Sequence, residues 1–113
     1  GKVAVIELWA SWCKSCRVNA KSFRPLYEKY KNSGFEIVGI AREYKDTNKW
    51  LNALEADQYP WPNLVAMEEY HHIWAQYGIP HMAGRTILVS RDGIVIKIDP
   101  TAADVEKYLM DKK

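Results

Sequence analysis

Residues 3–16 read VAVIELWASWCKSC, and this stretch decides the fold. Its first half, Val3 to Trp9, is an almost continuous apolar run rich in β-branched residues. Such a run is typical of a strand buried on both faces of a parallel sheet. From Cys13 to about Asn32 the apolar positions instead recur at steps of three and four, the period of an amphipathic helix. Cys13 and Cys16, the only cysteines of the chain, therefore lie where a central strand is followed by a helix.

The rest of the chain alternates helical and strand patterns. A strand, a helix and a second strand in succession imply a right-handed parallel crossover, and a tight turn between two later apolar runs implies a hairpin. The first helix should be kinked at Pro25 and end at Asn32-Ser33-Gly34. A helix around Trp50 should be capped by Asp46 or Thr47, and Tyr59–Pro62 should be irregular. The other predicted elements are a strand over Phe35–Ala41, a short helix over Glu68–Tyr77, hairpin strands over Thr86–Ser90 and Ile94–Ile98, and a helix over Ala102–Met110. We therefore expect an α/β fold with a mixed β-sheet flanked by helices.

Length and composition exclude several classes of protein. At 113 residues the chain fits a single domain over residues 1–113, which we expect to be a monomer. Its 16 basic and 14 acidic residues are scattered, so nucleic acid is not an expected partner. No apolar run approaches the roughly 18 residues of a membrane-spanning helix, so we expect no membrane insertion. Because the chain starts at Gly1 and enters a strand at Val3, we expect it to be a piece of a longer polypeptide.

The two cysteines have the spacing and placement of a redox pair. At a helix N-terminus, unpaired backbone N–H groups and the helix dipole stabilise a thiolate over a thiol. Lys14 and Arg17 add positive charge, and environments of this kind lower the pKa of a thiol from about 8.5 to roughly 3.5 to 7.5. Cys13 is therefore the predicted attacking sulfur. Cys16 lies one turn away on the apolar side of the helix and suits a resolving thiol.

Other interpretations of the pair stay open. A structural disulfide closing so short a loop would stabilise the fold by only on the order of 2 kcal/mol. A zinc site needs four ligands, whereas His71, His72 and His81 lie far along the chain, so no metal ligand is predicted. The alternative functions are a binding module whose cysteines are incidental or hold a metal, and a peroxidase. Against a peroxidase, Ala10 stands three residues before Cys13, where such an enzyme has Thr or Ser.

Glu7 and Trp12 are the other candidate site residues near the pair. An acid within an apolar central strand is desolvated, so the pKa of Glu7 should rise. Glu7 could then exchange a proton with Cys16 in each half-reaction, although a carboxylate paired with a lysine would give the same pattern. Trp12 could form an apolar rim on which a protein partner rests.

Several segments together resemble one protein family. WASWCKSC after a strand, LYEKYKNSGFEIVGIA, YPWPNL, YGI and ILVSRDGIVI are similar in order and type to the TlpA/ResA branch of thioredoxin-like thiol-disulfide oxidoreductases. The resemblance implies a three-layer sandwich, no bound cofactor, and an extracytoplasmic location in the periplasm or cell envelope. It implies Cys13 as nucleophile, Cys16 as resolving cysteine, Trp12 as the tryptophan before the first cysteine and Glu7 as a buried acid. The implied partners are protein disulfide or dithiol substrates and an upstream redox partner.

The chain departs from this family at two positions. Ser15 stands where the family usually has proline, and residues between the cysteines influence thiol pKa and redox potential. The family's cis-proline corresponds to Ala83 or Gly84, and a cis bond at a non-proline residue costs about 3 to 4 kcal/mol. Unless Pro80 takes its place, we expect a trans or reshaped loop, in which Ala83 and Gly84 would contact substrate together with Trp12.

Overall fold

The fold is a five-stranded sheet with helices packed on it. The computed structural model describes residues 1–43, 47–67 and 84–111. The strands are β1 (Val3–Trp9), β2 (Phe35–Glu43), β3 (Asn63–Met67), β4 (Arg85–Val89) and β5 (Val95–Ile98), and the helices are α1 (Lys14–Lys21), α2 (Arg24–Tyr30), α3 (Asn48–Asp57) and α4 (Ala102–Asp111). Within the described residues, no helix combines the length and apolar character that crossing a bilayer requires.

The strand order is β3-β2-β1-β4-β5, which makes β1 the central strand as predicted. β1 pairs in parallel with β2, and β2 in parallel with β3. β4 is antiparallel to both β1 and β5. The sheet is therefore mixed, and its register brings Gly39 of β2 and Thr86 of β4 to either side of Glu7.

The described helices cover the sheet face to which the odd-numbered side chains of β1 point. On this face Val5 and Ile37 pack with Phe23, which precedes α2, and with Val105 of α4. Ala53 of α3 packs on the same face, against Trp9 and Ala41. The opposite face has its own cluster of Leu8 and Ile87, with Ile6, Ile40 and Val89 packed on them. The helix predicted over Glu68–Tyr77 lies outside the described residues.

The prediction of one kinked helix from Cys13 to about Asn32 is wrong, because the chain forms two helices. α1 ends at Lys21, where the backbone N–H of Ser22 is shared between the carbonyls of Val18 and Asn19 at 3.2 and 3.1 Å. Pro25, in the first turn of α2, has no N–H to donate, and in a continuous helix its ring would meet the carbonyl of Lys21. The proline therefore produces a complete break.

One further prediction is wrong, at β2, and β3 was missed. The sequence predicts β2 to end at Ala41, but it extends to Glu43, and this extension brings two buried charged residues into the sheet. β3 is not predicted at all, because the five residues NLVAM after two prolines lack strand alternation. These residues form a strand because they pair in parallel with β2, although their own sequence shows no alternating pattern.

The hairpin and the closing helix agree with their predictions within one residue. Gly93 takes a positive φ of 82°, which the tight turn between β4 and β5 requires, and its N–H bonds to Ser90 O at 3.0 Å. Thr47 precedes α3 but makes no side-chain capping bond, and Asp46 lies outside the described residues.

Candidate active site

Cys13 and Cys16 are joined by a disulfide at the N-terminus of α1. Cys13 is the N-cap residue in an extended conformation, and the backbone N–H of Cys16 donates to its sulfur at 3.3 Å. Both cysteines are half-buried, and Cys16 packs against the cluster around Trp9. The Ser15 hydroxyl lies 3.6 Å from Cys13 Sγ. Cys13 thus has the helix-terminal position that favours a thiolate once the disulfide is reduced.

Glu7 is buried in β1, with an exposed fraction of 2%. Burial raises the pKa of its carboxyl to about 8, and the charge of Asp99 adds to the increase. The Thr86 hydroxyl lies 3.2 Å from each carboxyl oxygen, and this hydrogen bond opposes the rise in pKa. Among the described residues, Glu7 therefore has a hydroxyl as its hydrogen-bond partner and not a lysine.

A cavity of about 470 Å³ connects this carboxyl to the disulfide. Glu7, Cys13 and Cys16 all line it, together with Asn19 and Thr86. The Asn19 side-chain amide donates to Thr86 Oγ1 at 2.9 Å, so a hydrogen-bonded chain runs from α1 through β4 to the acid on β1. Because the Glu7 carboxyl, the Asn19 amide and the Thr86 hydroxyl line it, a cavity of this size has room for water between the carboxyl and the sulfurs.

The loop before Cys13 is held at Ser11 by two charged side chains. Glu43 accepts hydrogen bonds from Ser11 N at 3.1 Å and Ser11 Oγ at 2.9 Å. Arg17 donates to Ser11 O at 3.3 Å. Because both backbone polar groups of Ser11 are bonded, the approach of the chain to Trp12 and Cys13 is fixed.

Arg17 is itself anchored to Asp57 at the end of α3. Its Nε and a terminal guanidinium nitrogen donate to the two carboxylate oxygens at 2.7 and 3.0 Å. These bonds lower the pKa of Asp57 to about 2 against the opposing effect of burial, and a hydrogen bond from Tyr59 at 2.7 Å contributes to the lowering. The same contacts raise the pKa of Arg17, since they favour the charged guanidinium.

The remaining predicted site residues lie on two sides of the pair. The Trp12 side chain is 37% exposed and stands between two surface grooves. Gly84 packs so closely on the pair that an added Cβ would collide with Cys16 Sγ and with Leu8 O. Ala83, and the loop with Pro80 that could carry the family's proline, lie outside the described residues.

Four residues of the site were missed by the sequence predictions: Asn19, Glu43, Asp57 and Thr86. Asn19 follows Cys16 by three positions, so helical periodicity could have placed it beside the pair. Glu43 comes at the carboxyl end of a strand next to β1, where sites of α/β proteins lie, had the strand been predicted to its full length. No local signal marks Asp57 or Thr86.

Metal binding finds no support in the described part of the chain. There, no group of three or more His, Cys, Asp or Glu side chains is arranged to hold a metal ion. His71, His72 and His81 lie outside it.

The chain is similar to known redox proteins along nearly its whole length. It is 30% identical over 112 residues to the thiol-disulfide oxidoreductase ResA of Bacillus thuringiensis subsp. konkukian, covering 96% of this chain and 62% of that protein. It is 27% identical over 116 residues to the chloroplastic peroxiredoxin Q of Sedum lineare, covering 96% of this chain and 60% of that protein. The chain thus spans about three fifths of the length of the curated relatives it matches.

The thioredoxin-like fold is confirmed by comparison with a solved structure. The thioredoxin domain of a thiol-disulfide oxidoreductase from Bacteroides vulgatus superposes with a TM-score of 0.83 at 21% identity, covering 98% of this chain and 79% of that one. The match to ResA confirms the predicted resemblance to the TlpA/ResA branch. Since the profile of the Redoxin family matches residues 1–110, all but the last three positions, this chain belongs to the Redoxin family.

Proposed function

We propose that this chain is a protein thiol-disulfide oxidoreductase that works by dithiol-disulfide exchange at Cys13 and Cys16. The observation that carries the proposal is the disulfide at the N-terminus of α1, with Cys13 as the N-cap. A bonded pair is the oxidised form of such an enzyme. Cys13 is half-buried and lines a surface cavity, from which a partner can reach it.

The proposed exchange begins with the reduced pair. The Cys13 thiolate attacks one sulfur of a substrate disulfide, a mixed disulfide forms, and the other substrate sulfur leaves as a thiolate. The Cys16 thiolate then attacks Cys13 Sγ and expels the second substrate thiolate. Two electrons pass to the substrate, and the enzyme is left with the Cys13–Cys16 disulfide. A dithiol protein upstream must reduce that disulfide before the next turnover.

Glu7 is the proposed relay for the proton of Cys16: its carboxylate form accepts the proton and its acid form returns it. The thiol must lose its proton before it can attack, and the carboxyl shares the cavity that Cys16 lines. A pKa of about 8 is close to that of a thiol, which makes transfer in either direction feasible near neutral pH. The transfer runs directly or through water in the cavity.

We also propose substrate contacts, a location and an oligomeric state for this protein. Trp12, Ala83 and Gly84 would contact protein substrates beside the pair. The resemblance to TlpA/ResA-type proteins supports an extracytoplasmic location. We further propose that residues 1–113 form one thioredoxin-like domain, which acts as a monomer.

The test is insulin reduction by the reduced protein. Wild type should precipitate insulin, Cys13→Ser should be inactive, and Cys16→Ser should accumulate a mixed disulfide, because it can attack but cannot resolve. Ser15→Ala is the matched control, since it removes a hydroxyl within the motif but keeps both sulfurs. Equal activity of wild type and Cys13→Ser would contradict the proposal.

A second candidate is a peroxidase, favoured by the match to peroxiredoxin Q. In that reaction the Cys13 thiolate is oxidised by a hydroperoxide to a sulfenic acid, the peroxide is reduced to an alcohol or water, and Cys16 condenses with the sulfenic acid to release water. Ala10 stands where such an enzyme has Thr or Ser, which argues against it. Hydrogen peroxide consumption that is faster than insulin reduction and is lost in Cys13→Ser would reverse this ranking.

A further inference from the structure

We infer that the surface beside Cys13 binds acidic segments of its protein substrates. The inference rests on the proposed function and names the class of substrate that the function favours. The surface, which we call the Trp12 surface, consists of Trp12, Lys14, Arg17, Val18, Lys21 and Lys49.

The Trp12 surface has an apolar centre next to the reacting sulfur. Trp12 directly precedes Cys13, and its side chain is 37% exposed. Val18, on the first helix, is 57% exposed. Both line a groove of about 370 Å³ on one side of the tryptophan. An apolar side chain near the substrate cysteine can therefore be buried here.

Among the residues that the structure describes, every charged group that lines the two grooves beside Trp12 is a cation. Lys14, Arg17 and Lys21 line the first groove, and Arg17 and Lys49 line the second, of about 350 Å³. The carboxylate that approaches them, Asp57, is only 6% exposed and is paired with Arg17 and Lys21. Glu43, which is buried and binds Ser11 in the lining of both grooves, adds a second negative charge. Two buried negative charges thus stand against four positive ones, so the described part of this surface is positive.

The other side of the disulfide differs in charge. The 470 Å³ cavity is lined by two acidic side chains, Glu7 and Asp99, and by one basic side chain, Arg85. Arg85 and Asp99 form an ion pair at 2.8 Å. Of these two sides, as far as the described residues define them, the Trp12 side carries the excess of positive charge, which attracts acidic chains and disfavours basic ones.

The occupant is therefore a polypeptide with Asp or Glu residues and an apolar side chain close to its reacting cysteine. Exchange requires a substrate sulfur at Cys13, so residues flanking that sulfur must lie on the neighbouring surface. The attraction acts mainly on the rate of encounter and weakens with salt.

The experiment compares three disulfide peptides that differ only in flanking residues: acidic, neutral and basic. Second-order rate constants for their reduction by the reduced protein are measured at about 0.02 M and about 0.5 M ionic strength. We expect the acidic peptide to react about fivefold or more faster than the basic one at low salt and a smaller ratio at high salt.

Charge-reversed variants locate the effect. Lys21→Glu/Lys49→Glu keeps Lys14 between the cysteines and should invert the preference. Lys2→Glu/Lys107→Glu is the matched control, because both lysines are exposed and line neither groove. If circular dichroism shows that the reversed variant is unfolded, Lys21→Gln/Lys49→Gln replaces it, and its ratio should fall toward one.

The outcomes separate this inference from the proposed function. If the neutral peptide is not reduced at all, the proposed function is wrong. If all three peptides are reduced at equal rates, or if the control changes the ratio as much as the groove variant, the inference is wrong and the oxidoreductase stands.

Discussion

Glu7 is the residue whose chemistry depends most on its surroundings. It lies on the central strand between β2 and β4, with the Thr86 hydroxyl as its described hydrogen-bond partner. Because a hydroxyl does not neutralise a buried carboxylate, the proton is held more tightly in the folded than in the unfolded protein.

This burial predicts an unusual dependence of stability on pH. The pKa of Glu7 is about 8 when folded against 4.5 in its ordinary state, so the folded state binds more protons between these values and stability falls as pH rises. In Glu7→Gln that fall should disappear, and the oxidised variant should exceed wild type by on the order of 3 kcal/mol above pH 8. Urea unfolding from pH 5 to 9 measures this.

The exposed carboxyl of Glu36 on β2 provides the control variant Glu36→Gln for that series. Wild-type stability that is equal at pH 5 and pH 8.5, after correction for the control, would show that Glu7 is not protonated in the fold.

Gly84 predicts a second effect at the residue scale. In Gly84→Ala the new Cβ meets Cys16 Sγ and the Leu8 backbone, so the variant should lose about 2 kcal/mol of stability and exchange disulfides more slowly. Gly93→Ala is the comparison, since its Cβ meets nothing within 4 Å and strains only the turn. It should lose about 1 kcal/mol and keep its insulin-reduction rate; a slower rate in Gly93→Ala alone would contradict the assignment.

At the scale of elements, the extension of β2 positions the loop before Cys13. Glu43 ends this strand and binds both Ser11 N and Ser11 Oγ, while Arg17 of α1 binds Ser11 O. Strand and helix thus hold the same residue from two sides. The approach to Cys13 is set by neighbouring elements and does not depend on the loop alone.

Removing this contact should slow exchange without changing the sulfurs. In Glu43→Gln one oxygen is replaced by an NH₂ group that cannot accept from Ser11, so we expect a loss of about 1 to 3 kcal/mol in stability. The rate of Cys13 alkylation in the reduced protein at fixed pH should fall as the loop loosens and the helix N-terminus stabilises the thiolate less, which a defect remote from the loop would not cause. Glu36→Gln, on the same strand, should leave the alkylation rate unchanged. An unchanged rate in both variants would remove Glu43 from the site.

At the scale of the whole molecule, α1 and α3 are tied together through Arg17 and Asp57. Two hydrogen bonds of 2.7 and 3.0 Å join the helices. Through Arg17, the tie extends to Ser11 and the loop that carries Cys13.

This tie predicts a loss of stability in acid. The pKa of Asp57 is lowered from 3.8 to about 2, so its stabilisation is complete above pH 4 and is lost as the pH falls through about 2. Asp57→Asn should cost about 2 kcal/mol at pH 7, and its difference from wild type should shrink between pH 4 and pH 2. Thermal unfolding across this range measures the difference; a constant difference would mean that the ion pair is not its cause.

The sequence alone determined the elements whose formation depends on residues close together in the chain. These are the apolar strand β1, the helix that begins beside Cys13, and the turn at Gly93. It also placed the two cysteines at the start of that helix. It identified Glu7 as a buried acid, since Glu7 is the one polar residue in the apolar run of β1. Pro25 was recognised as an interruption, although its full effect, two separate helices, was not.

Only the tertiary structure decided what surrounds those residues. The bonds of Glu7 to Thr86, Asn19 to Thr86, Ser11 to Glu43 and Arg17 to Asp57 join positions 79, 67, 32 and 40 residues apart. Strand β3 likewise exists through its pairing with β2. Local patterns record whether a side chain prefers water or the core, but a hydrogen bond between distant residues depends on strand order and register, which no short stretch of sequence specifies.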